Sequence, residues 1–83
     1  MSSAPRLTFY FRQECHLCEE MWQELQQIPG VDSLSVERIE ITAQEALERR
    51  FGALVPVLTV GDQVLCNYYL DPNSLGPFLP DDV

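Results

Sequence analysis

The sequence predicts an α/β domain with the element order βαβαββα and a mixed four-stranded sheet, and three features of its 83 residues carry that expectation. An apolar run, Leu7 to Phe11, leads into a helical stripe, and the strand-then-helix order recurs over Leu34 to Ile41 and Thr42 to Phe51, the mark of a parallel crossover. Two short β-prone runs, Val57 to Val60 and Val64 to Cys66, flank Gly61-Asp62-Gln63, which is hairpin chemistry, so antiparallel pairing joins the parallel pair. Asp71-Pro72 then sets an N-cap before a residue whose fixed φ suits the first turn of a helix. With 46% hydrophobic residues, a chain of this length fills one modest core, so residues 1–83 are read as a single domain.

Each element follows from its side chains. Leu7-Thr8-Phe9-Tyr10-Phe11 is almost wholly apolar and aromatic, as a strand covered on both faces must be, which places it inside the sheet. Cys18, Met21, Trp22, Leu25 and Ile28 recur three or four residues apart and form the buried stripe of the first helix. Its other face, Glu19, Glu20, Gln23, Glu24 and Gln27, is solvated, and Pro29-Gly30 stops it. The second strand carries Glu37, Arg38 and Glu40 and must meet water, so it is assigned to an edge. Thr42 with Glu45 three residues later reads as a capping box that starts the second helix, with Ala43, Ala46, Leu47 and Phe51 as its buried stripe and Gly52 as its stop. Leu75, Phe78 and Leu79 give the last helix its apolar side, and residues 80–83 read as a frayed acidic tail.

The stretch with chemistry in it is Cys15-His16-Leu17-Cys18, at the junction of the first strand and helix. A cysteine at a helix start faces unpaired N–H groups and the positive end of the macrodipole, both of which favour thiolate, so Cys15 is the candidate nucleophile. Cys18 opens the apolar stripe and should be buried. That asymmetry suits disulfide exchange, in which one sulfur meets the substrate while its neighbour waits to break the mixed disulfide. Two other readings stay open: half of a metal site, for which only Cys66 and His16 could supply further ligands, and a pair of packed structural thiols. Cys66, in an apolar run, reads as an inert packed thiol.

Charge and hydropathy exclude other classes. Five Arg, no Lys and thirteen acids give a net charge of -8, which would repel a nucleic-acid backbone. No run approaches the roughly 20 apolar residues that span a bilayer, and Met1 to Arg6 lacks a signal-peptide core. The expectation is a cytoplasmic, monomeric protein with no nucleic-acid or membrane partner. Three cysteines do not make a disulfide framework.

In these residues the whole chain resembles a glutaredoxin, the small member of the thioredoxin-like superfamily, and in particular the small bacterial glutaredoxin-like proteins with Cys-x-x-Cys. The matching positions are the apolar first strand, Cys15, Cys18 and Leu54-Val55-Pro56 before the hairpin. The resemblance implies a three-layer thioredoxin-like fold, catalytic Cys15 and Cys18, and a cis peptide bond before Pro56 facing the dithiol. It also implies an extended substrate paired with the backbone at Val55 and a basic residue, Arg12, that contacts a glutathione carboxylate. His16 and Leu17, between the sulfurs, complete the expected substrate-contacting set of Arg12, His16, Leu17, Val55 and Pro56. The chain departs from the pattern where a Gly-Gly pair after the last strand is replaced by Asn67-Tyr68, and where Leu17 stands for the usual aromatic. The implied activity is therefore thiol–disulfide exchange on a protein disulfide, with no resident cofactor or metal, and with glutathione at most a reductant. The alternative from the same resemblance is a binding module, or an iron–sulfur cluster held between two subunits.

Overall fold

The computed structural model describes residues 6–79, so the acidic stretch 80–83 and residues 1–5 lie outside the described residues. Seven principal elements follow in the order β1 (Arg6–Phe11), α1 (His16–Gln26), β2 (Ser35–Glu40), α2 (Glu45–Phe51), β3 (Val57–Val60), β4 (Gln63–Asn67) and α3 (Pro72–Leu75). Short 3-10 turns at Val31–Ser33 and Gly76–Phe78, which periodicity does not reveal, complete the chain.

The sheet order is β2-β1-β3-β4. β1 pairs in parallel with β2 and antiparallel with β3, and β3 pairs antiparallel with β4. The aromatic run is thus interior and the charged second strand is an edge, as their side chains require. Alternate β1 residues feed two cores. Leu7 and Phe9 join Met21 and Leu25 of α1, Leu58 of β3 and Leu75 of α3 on one face. On the other face Tyr10 packs against Ile41, Phe51 and Val57, with its ring 4.5 Å from that of Phe51. Helices α1 and α3 cover one side of the sheet and α2 the other, which makes three layers. Phe9, Leu7, Met21, Leu25, Leu58 and Leu75 are fully buried, each stabilising the fold by about 1.5–3 kcal/mol relative to an exposed position.

The hairpin turns at Gly61, whose φ of 58° is open to glycine at no steric cost, and β4 begins at Gln63, one residue earlier than predicted. A bulge between Leu58 and Thr59 leaves Leu65 as the extra residue on β4. Asp71 caps α3 through its side chain, which accepts from the Asn73 N–H, with Pro72 in the first turn.

The start of α2 corrects the sequence reading. Ile41 is fully buried and its N–H donates to the Phe11 carbonyl, so the chain must leave the sheet before it can coil. It reverses through Thr42 and Ala43, the latter at a left-handed φ of 69°, and the helix begins only at Glu45 with Gln44 as an N-cap that makes no side-chain cap bond. The Thr42–Glu45 capping box does not form, and Ala43 and Ala46 are exposed rather than buried. Leu47 and Phe51 do pack inward.

Register brings the chemically interesting residues to one end. The C-terminal end of β1 meets the N-terminal end of β3, where Tyr10 lies opposite Val57, and Asn67 of β4 lies opposite Val57 on the far side. The loop after β1, the Val55–Pro56 peptide and the segment after β4 therefore share one end of the sheet.

Candidate dithiol site

After β1 the backbone turns through Glu14, a non-glycine residue at φ 55°, and delivers Cys15 in extended conformation as the N-cap of α1. Cys15 Sγ accepts the Cys18 N–H at 3.1 Å, and the Cys15 carbonyl accepts the Glu19 N–H at 3.1 Å. Cys15 and Cys18 are disulfide-bonded with Cα atoms 5.2 Å apart. Cys15 is half-buried, whereas Cys18 is 3% exposed and stands on the buried stripe with Met21 and Leu25. One sulfur is reachable and the other is sheltered. When the bond is reduced, the reachable sulfur sits where a helix N-terminus stabilises negative charge.

The other predicted residues divide. The Val55–Pro56 bond is cis, Pro56 is buried, and its carbonyl accepts the Tyr68 N–H at 2.9 Å. Val55 is half-buried against the Tyr10–Phe51 core, and Leu17 is half-buried. His16 points to solvent, 83% exposed at its side chain, with Nε2 2.8 Å from Glu20 Oε2 one turn along. Arg12 does not stand free. Its Nη1 and Nη2 donate to the two carboxylate oxygens of Glu48 at 2.8 Å each, and Nη2 also donates to the Gly52 carbonyl at 3.0 Å. The hydrogen bonds that Arg12 donates to Glu48, set against a smaller lowering by burial and reinforced by the Glu48 charge, hold the guanidinium's pKa above its ordinary value.

Sequence reasoning did not find Glu48, which lies 36 residues from Arg12 on α2 and reads in the sequence as one more solvated acid. It also missed the part played by Tyr68. This residue takes a left-handed φ of 66°, a conformation costly for a side chain, and its hydroxyl donates to the Ala53 carbonyl at 2.6 Å. The chain thus keeps the backbone conformation that suits a glycine after β4, and spends the side chain on bracing the loop before Pro56. Among the described residues no group of three or more His, Cys, Asp or Glu could hold a metal ion, and no helix is long and apolar enough to cross a membrane.

The model of the glutaredoxin-like domain (DUF836) matches residues 6–79. The chain belongs to that family. Among solved structures it is similar to protein Ne2328 of Nitrosomonas europaea, with 36% identity, a TM-score of 0.78 and 96% of each chain covered. Two further structures share the fold at lower identity. One is a malarial protein (16%, TM-score 0.60, covering 92% of this chain and 93% of the other), and the second is Trxlp of Edwardsiella tarda (23%, TM-score 0.53, covering 94% and 84%). No curated protein matches the chain in sequence.

Beside the dithiol of this glutaredoxin-like chain lies an open cleft of about 410 Å³, on the side of β1 that faces α1 and β2. Cys18 is in its wall, Phe11 and Trp22 supply aromatic surface backed by the buried Phe9, and Arg12 and Arg38 are among its lining residues. Phe9 and Trp22 pack at 5.3 Å between ring centroids. Cys66 is a free, half-buried thiol on β4, whose pKa is pushed up by burial against smaller lowering contributions from hydrogen bonds with Asp71 and Ser74.

Proposed function

We propose that this glutaredoxin-like protein is a thiol–disulfide oxidoreductase. The observation that carries the reading is the pairing of a reachable Cys15 at a helix N-cap with a sheltered Cys18 at disulfide distance. In the reduced form the Cys15 thiolate attacks one sulfur of a substrate disulfide, the substrate's bond breaks, and the departing thiolate takes a proton from solvent. The Cys18 thiol loses its proton and attacks Cys15 Sγ, which releases the second substrate thiol and leaves the Cys15–Cys18 disulfide. Two electrons pass to the substrate, and an external dithiol, or two equivalents of a small thiol such as glutathione, restores the pair.

The substrate we infer is a protein disulfide. Support comes from Arg12, whose donors are taken by Glu48 and Gly52, and from Tyr68, which occupies the ground where a glycine pair would leave room for a small tripeptide. An extended peptide segment would pair with the backbone at Val55, beside Pro56 and Leu17. A reducing compartment such as the cytoplasm fits a free Cys66, and the dithiol needs no resident cofactor. The test is capture by the Cys18→Ser variant, in which a mixed disulfide on Cys15 cannot be resolved from within. Intact mass of the variant isolated from cells should show protein adducts ahead of glutathione. An almost pure glutathione adduct would reverse the substrate assignment, and a free Cys15 thiol under oxidising conditions would end the enzyme reading.

A further inference from the structure

Two arginines line the cleft beside Cys18, and their charges are handled differently. Every short contact of Arg12 is internal: both oxygens of Glu48 and the carbonyl of Gly52. Arg38 rises from β2 in register beside Phe9 and lies over the rings of Phe11 and Trp22, 4.8 Å and 4.4 Å from their centroids. Among the described residues no carboxylate lies within 4.0 Å of it, in a protein with thirteen acids. A guanidinium on a ring face is attracted through its flat side, whereas its N–H groups donate in its plane. The ring contacts therefore hold Arg38 over Phe11 and Trp22 while consuming none of its donors, and its planar fork matches a carboxylate.

We propose that Arg38 is a carboxylate subsite of the dithiol. It engages a carboxylate carried by the thiol partner of the exchange reaction, whose apolar stem lies against Phe11 and Trp22 within reach of the cysteines. The proposal rests on the exchange reading above and refines its substrate. Glu14 and Glu19 share the cleft, so a bare dianion is disfavoured, and a partner bearing an amino or amide group beside its carboxylate is favoured. That chemistry belongs to amino-acid-type thiols and to peptides with an acidic side chain. Arg12, the residue that sequence position nominates, is not the receptor because Glu48 already holds it.

The test uses the reduced full chain and three small disulfides that differ in charge: oxidised glutathione, neutral bis(2-hydroxyethyl) disulfide and cationic cystamine. In Arg38→Met, which keeps an apolar stem over the rings, the ratio of the rate with oxidised glutathione to that with the neutral disulfide should fall about fivefold, the size of one solvent-exposed charge pair, and the ratio for cystamine should rise. Arg38→Lys, which keeps the charge, should retain most of the anionic preference. Arg12→Met should leave the ratio within about twofold of wild type. Cystine peptides carrying Glu or Gln beside the cysteine locate the carboxylate. A Glu preference lost in Arg38→Met assigns it to peptide substrates, and loss confined to oxidised glutathione assigns it to small thiols. An unchanged ratio in Arg38→Met, or an equal fall in Arg12→Met, overturns the proposal. Wild-type protein that reduces none of the three disulfides fails at the exchange reading itself, and the subsite falls with it.

Discussion

Replacing Thr59 with valine should make the protein more stable. Thr59 lies on β3 between two neighbouring strands, is 2% exposed, and its hydroxyl oxygen finds no hydrogen-bond partner among the described residues, although Thr8 faces it across the β1–β3 pair. A hydroxyl taken out of water without a partner costs about 1–3 kcal/mol by mutational measures. Valine keeps the β-branch and the strand preference and puts a methyl where the oxygen was. The expected gain is about 1–2 kcal/mol, which for a domain of this size raises Tm by roughly 4–15 °C. Urea unfolding of the oxidised protein measures it, and the m-value should stay constant because the same surface is exposed on unfolding. The reverse change nearby, Val57→Thr at a fully buried position on the same strand, should cost about 1–3 kcal/mol. Thr59→Val unfolding at a lower urea concentration than wild type would refute the reasoning, since the hydroxyl must then be satisfied in the native state.

Leu25→Ala removes a side chain 1% exposed in the α1 seam and should cost about 2–5 kcal/mol in the same urea experiment. Gly52→Ala would set a Cβ 2.4 Å from the Glu48 carbonyl oxygen, so the end of α2 must shift; a loss of about 1–3 kcal/mol is expected, and an unchanged midpoint would contradict it. In the oxidised protein Cys66 is the thiol left to titrate, and burial raises its pKa above the ordinary 9.0. Between those two values the folded chain holds a proton that the unfolded chain has lost, so the Cys66 contribution to stability is complete below pH 9.0 and falls as pH rises through the folded pKa. Cys66→Ala should show a smaller loss of stability over that alkaline range than wild type, and wild-type Cys66 should alkylate more slowly than a free thiol at the same pH.

What could be read in the sequence was whatever depends on neighbours along the chain. Phe9 and Phe11 marked an interior strand, the Cys18–Met21–Leu25 spacing marked the buried face of α1, and Asp71-Pro72 marked the start of α3. Each signal is a local period or a cap, and each is present in the structure. Thr42 and Glu45 formed an equally good local signal that failed, because Ile41 is pulled into the core and forces the chain to turn first. Of the site, the cysteine pair was legible from its spacing, and the cis bond before Pro56 only from the family resemblance. Its charges were not. Glu48 and Arg38 both read as solvated residues, and only folding sets the first against Arg12 and lays the second over Phe11 and Trp22. Pairings across 36 residues leave no trace in periodicity. The cost of Tyr68 at φ 66° is likewise invisible until its hydroxyl is seen at Ala53.

The sulfur that accepts the Cys18 N–H is also the atom on which a mixed disulfide would form. A thiolate is a strong acceptor for that N–H, and a sulfur bonded to a second sulfur is a weak one. That hydrogen bond is made at 3.1 Å even in the Cys15–Cys18 disulfide, and a thiolate would strengthen it, so the first turn of α1 would be held most firmly while Cys15 waits and less firmly once a partner is attached. Deuterium uptake at the residue-18 amide should be slow in the reduced Cys18→Ser variant and faster in its trapped Cys15 adduct. In the wild type, that loosening falls on the turn that carries Cys18. If the protein exchanges disulfides as proposed, the covalent complex would thus begin to free its own resolving thiol at the moment it forms, and its dwell time would be short.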